Sequence, residues 1–187
     1  MLYKTEYELL EKKIIAFKPL MNKLITLENL DLLIQVLIIG EDRRFYKHKG
    51  YDLKAIIRVI YKRIISNKKE GGSTIEQQLV RVLTNDYSPT LKRKIKEIYL
   101  ATKLSNKLKK KEIALFYLFI AYYGTNYQGL ELILKKFNKT LNSVLTLDIC
   151  AEIIARLKYP EPRTVSENKM KLINKRKLYI LNVLKND

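Results

Sequence analysis

Glu41-Asp42-Arg43-Arg44-Phe45-Tyr46-Lys47-His48-Lys49-Gly50-Tyr51-Asp52 and, further along, Gly71-Gly72-Ser73-Thr74-Ile75-Glu76-Gln77-Gln78-Leu79 are the stretches from which this chain is best read. They gather adjacent carboxylates, the one histidine and a glycine pair into a sequence otherwise rich in Ile, Leu and Lys. Just upstream, residues 30–40 are almost wholly apolar, which predicts a buried helix that carries Glu41 to the rim of a core. At such a rim partial burial raises a carboxylate pKa toward a useful value. Just downstream, Leu53, Ile56, Ile57, Ile60, Tyr61 and Ile64 form one stripe at helical spacing, with Lys54, Arg58, Lys62 and Arg63 mostly off it. That pattern is an amphipathic basic helix, either an ordinary core-facing helix or one lying against anionic lipid. Residues 67–72 break it, and Ser73-x-x-Glu76 has the spacing of a capping box, so the next helix is expected to start at Ser73.

The rest of the chain continues in the same style. It has only six glycines and four prolines, and apolar positions recur at three and four residues, so the fold class is all-α. Ser88 is the expected N-cap and Pro89 the first residue of a helix over 89–108, because the missing proline N–H costs nothing there. A helix over 110–123 is apolar on nearly every side and should be buried, its Tyr117, Tyr122 and Tyr123 included. Residues 124–129 read as a turn. Helices over 147–157 and 166–184, the latter basic, flank a break at Pro160 and Pro162. With 187 residues and no visible linker or repeat, one domain over 1–187 is expected.

Charge and cysteine use limit the function classes. The net charge is +18, spread along the whole chain, so a polyanionic partner is expected: nucleic acid, an anionic bilayer or a phosphate-bearing substrate. The single cysteine, Cys150, excludes a disulfide framework and predicts a small buried apolar residue. The longest apolar run, 113–123, falls well short of the roughly twenty residues that span a bilayer. The first residues alternate charged and apolar side chains and do not form an export signal. Membrane contact is therefore expected to be peripheral, or to be supplied by a further segment or a partner.

The first string matches Glu-Asp-x-x-Phe-x-x-His-x-Gly-x-Asp at Glu41, Asp42, Phe45, His48, Gly50 and Asp52. The second matches Gly-Gly-Ser-Thr-Ile-Thr-Gln-Gln-Leu-x-Lys-Asn at Gly71, Gly72, Ser73, Thr74, Ile75, Gln77, Gln78 and Leu79, with Arg81 in place of lysine. Arg93, Lys94 and Glu97 supply Arg-Lys-x-x-Glu, and Glu112, Ile113, Tyr117, Leu118 and Gly124 fit a later pattern. Over residues 27–162 the chain thus resembles the family 51 glycosyltransferases, the peptidoglycan transglycosylases that polymerise lipid-linked disaccharides at a membrane surface.

The resemblance implies a lysozyme-like fold with two lobes, a head carrying the glutamates and a membrane-facing jaw near residues 53–69. It implies Glu41 as general base on the acceptor sugar hydroxyl and a polyprenyl pyrophosphate leaving group. Such a group departs already charged and needs cations rather than a proton donor. Glu97 is implied as the second glutamate, organising basic residues or a divalent cation, Mg²⁺ or Mn²⁺, around the pyrophosphate. Asp42, Phe45, His48, Gly71, Gly72, Ser73, Thr74, Gln77, Gln78, Arg81, Arg93 and Lys94 are implied on the substrate side, with the helix N-terminus at Ser73 offering donors to phosphate. Arg93 and Glu97, four apart, share a helical face whatever their role. His48 is expected to fix its loop by hydrogen bonding near Asp52 rather than to act in catalysis. No organic cofactor and no nucleic-acid partner are expected. The location implied is peripheral to the cytoplasmic membrane on its outer face, although no signal peptide or transmembrane segment is visible; a membrane-anchored protein is a candidate partner.

The sequence also departs from the family pattern. Glu76 and Val82 replace a Thr and an Asn, Pro89 replaces an arginine, Leu115 and Phe119 replace an acid and an asparagine, and Ser105 replaces a glutamate. These changes keep open three rivals: a divergent relative that uses or only binds another lipid-linked oligosaccharide, a basic nucleic-acid binder, and a glycan hydrolase of similar fold.

Overall fold

A computed structural model describes residues 3–66, 71–164 and 166–186. Among them the elements are α1 (Lys4–Leu24), α2 (Asp31–Glu41), α3 (Leu53–Ser66), α4 (Ile75–Thr84), α5 (Leu91–Lys107), α6 (Lys110–Ile120), β1 (Tyr122–Gly124), β2 (Tyr127–Gln128), α7 (Leu130–Lys136), α8 (Leu147–Lys158) and α9 (Glu167–Asn186), with 3-10 turns at Glu28–Leu30 and Phe45–Lys47. The fold is all-α and lysozyme-like, as the composition and the motifs predict.

Apolar periodicity places the core. Leu33, Ile34, Val36 and Leu37 of α2, Ile75, Leu79, Val80 and Leu83 of α4, and Ile113 to Leu118 of α6 join one buried cluster with Cys150, Ala151, Ile153 and Ile154 of α8. Each fully buried Leu or Ile contributes about 1.5–3 kcal/mol by leaving water. α6 is wrapped on almost every side, as its sequence implies. α1, whose periodicity is masked by its charged residues, closes the core with Leu10, Ile14, Phe17, Met21 and Leu24, and Phe17 stacks on Phe116 at 4.0 Å. α8 sits between α2 and α9, so the end of α2 is backed by the C-terminal helix.

α3 behaves differently. Only Ala55 of this helix is buried; of its apolar stripe Ile56 is half-buried, while Leu53, Ile57, Ile60, Tyr61 and Ile64 run from 54% exposed at Ile60 to 77% at Ile64. The stripe therefore faces outward and does not serve the core.

Three local expectations are corrected. α4 is capped by Thr74, whose hydroxyl oxygen accepts from the Gln77 N–H at 3.2 Å and whose O–H donates to the Gly50 carbonyl at 2.8 Å. With the cap one residue later than Ser73, Glu76 is no longer at the reach-back position and turns inward, fully buried. The part of the preceding break at 67–70 lies outside the described residues. α5 starts at Leu91 with Thr90 as cap, because the Ser88 hydroxyl donates to Asp86 at 2.7 Å instead. α6 ends at Ile120, and Tyr122 and Gly124 pair with Gln128 and Tyr127 in a two-stranded antiparallel hairpin. Extended backbone alternates side chains, so Tyr123 is buried while Tyr122 is 43% exposed.

The hairpin is tied to α8 by the segment after it. Glu161 exchanges backbone bonds with Tyr123 and Thr125 at 2.9 Å, and its carboxylate holds the wholly buried Arg156 at 2.8 Å. The 42–52 loop is docked on α5 through Gly50, which sits at φ 90° with the Ala101 carbonyl 2.6 Å from where a Cβ would stand. Both the left-handed backbone and the close approach demand glycine. Gly50→Ala is expected to cost at least about 1–3 kcal/mol of stability, read as a lower urea midpoint. An unchanged midpoint would show that the loop does not depend on this contact.

Candidate active site

Two helix termini meet beside a cavity of about 940 Å³. α2 ends at Glu41, and α4 begins after Gly71-Gly72-Ser73-Thr74. Glu41, Asp42, the whole Gly71 to Thr74 run, Gln78 and Arg81 line this cavity. So do Arg44, Arg58, Lys158, Lys175 and Arg176, which makes the hollow strongly electropositive and suited to an anionic ligand.

Glu41 is fixed from two sides. Gln78 Nε2 donates to its Oε2 at 3.2 Å, and Arg176 Nη2 reaches its Oε1 at 3.3 Å while also donating to the Gly40 carbonyl. The Gln78 amide is itself oriented, because the Tyr117 O–H donates to Gln78 Oε1 at 2.6 Å and leaves the NH₂ for Glu41. Tyr117 is buried, which keeps its phenol protonated with a pKa well above the usual value. Burial likewise raises the Glu41 pKa above the ordinary glutamate value, against the opposing pull of the Arg176 charge and the two hydrogen bonds. A carboxylate at the rim of a cavity with a raised pKa is suited to taking a proton near neutral pH.

The second glutamate lies deeper. Glu97 is 1% exposed and receives Arg81 in bidentate fashion, at 2.7 Å and 3.2 Å, together with Arg93 and, at 3.6 Å, Lys94. One anion thus holds three cations together. Burial and the neighbouring Arg81 and Arg93 charges lower the Lys94 pKa, with Glu97 opposing them. For Arg81, the hydrogen bond and charge of Glu97 outweigh burial and raise its pKa. Lys94 and Arg81 both donate to the Ser73 hydroxyl, at 2.9 Å and 3.4 Å, so the excess positive charge faces the cavity through Ser73 and Arg81.

Other residues singled out in the sequence do not line the cavity. Phe45 is core, with the Lys110 ammonium 4.2 Å above its ring. Gln77 is buried, donating to the Gly50 carbonyl and accepting from Lys94 at 2.5 Å. His48 Nε2 lies 3.0 Å from Asp42 and not beside Asp52, which pairs with Arg44 at 2.8 Å. Asp42 Oδ2 also accepts the Ile75 N–H at 3.2 Å. The α4 N-terminus expected to greet phosphate is therefore occupied by Asp42 and the Thr74 cap, leaving the arginines and lysines as the main anion donors.

Two places test the divalent cation that the resemblance implies. At Glu97 both oxygens are committed to protein cations, so a metal ion does not fit there. Asp42, His48 and Glu76 bring one potential ligand atom each to within 4.8 Å of one another, yet Lys110 stands 2.5 Å from Glu76 Oε1 and the Ile75 N–H already serves Asp42. The trio is arranged as an imidazole between two carboxylates rather than as ligands around an ion.

The site also contains residues that the motifs do not announce. Lys158, Tyr159, Lys175, Arg176 and Tyr179 form a wall from α8 and α9, beyond the quoted motifs. Their one signal is the basic character of the last helix.

The transglycosylase family model matches residues 13–185, and the chain belongs to that family. Among curated proteins, the monofunctional glycosyltransferases of Staphylococcus epidermidis and of Staphylococcus aureus strain Newman are 41% identical over 91 residues, 49% of this chain and 34% of each relative. The matched stretch thus spans about a third of the length of those relatives.

Glu97→Gln removes the anion on which three cations converge. It is expected to lower stability by about 3 kcal/mol, the low end for a broken buried pair because Arg81 and Lys94 keep some solvent contact. Chemical denaturation measures it, and a loss within experimental error would contradict the assigned role.

Proposed function

We propose that this protein is an inverting glycosyltransferase that polymerises a polyprenyl-pyrophosphate-linked disaccharide into glycan strands, with Glu41 as general base. The observation that carries the reading is Glu41, with its raised pKa, on the same cavity wall as Arg81 and the Gly71-Gly72-Ser73 run. The Glu41 carboxylate takes the proton from the acceptor sugar hydroxyl. That oxygen forms a bond to the anomeric carbon of the growing chain on the opposite face from the leaving group. The bond from that carbon to the pyrophosphate oxygen breaks, and its electron pair leaves with the diphosphate. Arg81, backed by Arg93 and Lys94 on Glu97, and the lysines and arginines across the cavity hold the two phosphates. Gln78 and Arg176 keep the base aimed. The Mg²⁺ or Mn²⁺ implied by the family has no seat at Glu97, and no step here runs through it.

The outward apolar stripe of α3, flanked by Arg58, Lys62 and Arg63, serves as the peripheral contact with an anionic bilayer, where the lipid tail of the substrate resides. No described helix is long and apolar enough to cross a membrane. The proposed place of action is the extracytoplasmic face of the cytoplasmic membrane, with a membrane-anchored protein as a candidate partner.

Incubation with labelled lipid-linked disaccharide in detergent or vesicles is expected to give a ladder of glycan lengths. Glu41→Gln should reduce it by about 10²–10⁴-fold, the usual loss of a general base, with substrate binding retained. Binding without any ladder from the wild type would favour the binding-only relative.

The pH dependence follows from the sign of the shift. Glu41 acts only when ionised, so the rate rises with pH through a midpoint above the ordinary glutamate value. The Arg176 charge favours the ionised form, so Arg176→Gln moves the rising limb of kcat/KM to higher pH. A limb that stays in place or moves down would contradict the pairing.

A further inference from the structure

Two of this chain's departures from the family pattern touch each other. Ser105 stands where the pattern has a glutamate, and Glu76 where it has a threonine. In the structure the Ser105 hydroxyl donates to Glu76 Oε1 at 3.4 Å, across from α5 to α4. The same Glu76 oxygen accepts the Lys110 ammonium at 2.5 Å and lies 4.0 Å from His48 Nδ1. Glu76 is fully buried and His48 nearly so. Glu76 Oε2 and His48 Nδ1 are both buried without a hydrogen-bond partner.

A fully buried carboxylate requires compensating charge, and here it comes from Lys110 at the start of α6. The chain of contacts then runs toward the cavity. His48 Nε2 meets Asp42 at 3.0 Å, and Asp42 holds the Ile75 N–H at 3.2 Å, next in sequence to Glu41. Glu76 is thus a link between α6 and the loop that follows Glu41, through Lys110, His48 and Asp42.

We propose that the carboxylate belonging at position 105 has moved to position 76, and that Glu76 is a positioning residue for the 42–48 loop through Lys110 and His48. The seat is one volume reached from two helices. A glutamate at 105, two bonds longer than the serine whose oxygen is already in contact, reaches the place now filled by the Glu76 carboxylate. The role in catalysis rests on the glycosyl-transfer reading above, but the exchange of seats does not.

The test is the set Glu76→Thr, Ser105→Glu and the double variant, with Glu76→Gln as a shape-preserving control. The first readout is the thermal midpoint. The second is the imidazole nitrogen chemical shifts of His48, unambiguous because the chain has a single histidine. Glu76→Thr should lower the midpoint by about 6–20 °C and move the His48 shifts, and Glu76→Gln should do the same more weakly. Adding Ser105→Glu to Glu76→Thr should recover most of both, whereas Ser105→Glu alone should destabilise by crowding two carboxylates. The third readout, on lipid-linked disaccharide, should show kcat falling with KM little changed in Glu76→Thr and returning in the double variant. If Glu76→Thr fails to fold, recovery of folding in the double variant supports the exchange and failure of both overturns it. Additive losses, or His48 shifts that ignore Glu76, also overturn it. Absence of glycosyl transfer in the wild type would defeat the functional reading while the midpoint and shift measurements still decide the exchange.

Discussion

The structure depends on one constraint: a carboxylate must be kept at the edge of the apolar core, dry enough to raise its pKa yet open to a ligand. Glu41 meets it because α2 is mostly apolar up to Gly40 and ends on Glu41, with α8 and α9 packed behind it. Burial alone would favour the neutral acid, whereas Arg176 and the Gln78 amide favour the anion. The competition leaves burial ahead, with the pKa raised. Tyr117, which carries no charge of its own at neutral pH, decides which end of the Gln78 amide faces Glu41.

The opposite arrangement prevails on the other side of the hollow. There an acid is wholly buried and cations are gathered on it, so Glu97 serves as an anchor for Arg81, Arg93 and Lys94 rather than as an acceptor of protons. The two glutamates of similar sequence prominence thus have different chemistry, set by what surrounds each. Burial, opposed by one guanidinium, raises the pKa of Glu41, whereas Glu97 gathers three cations. The net charge of +18 acts on a larger scale and favours anionic partners.

Much of this was legible in the residues. The apolar run over 30–40, the buried helix from Lys110 and the Arg93–Glu97 spacing each appear where periodicity puts them, and the motif strings bring Glu41, Ser73, Gln78 and Arg81 to one cavity. The failures have physical causes. Ser73 and Thr74 are equally good caps in sequence, and the choice is made by the Gly50 carbonyl, which is remote along the chain. His48 has Asp42 and Asp52 at comparable spacing, and Arg44 takes the latter. Tyr122 belongs to a helical pattern that ends early because Glu161 draws the following residues into a strand. The α8 and α9 wall, Arg176 above all, was hidden because a surface-like basic helix gives no sign of which lysine or arginine turns toward a carboxylate more than a hundred residues away.

The most direct test is the titration of Glu41 itself, by ¹³C NMR of the glutamate side-chain carboxyls in the wild-type protein, with the Glu41 resonance identified by its absence in Glu41→Gln. The account predicts a midpoint above the ordinary glutamate value of about 4.3, moving higher still when Arg176 is neutralised. A midpoint at or below that value would mean that the cations, not the apolar rim, govern this carboxylate, and Glu41 would not be poised as the base.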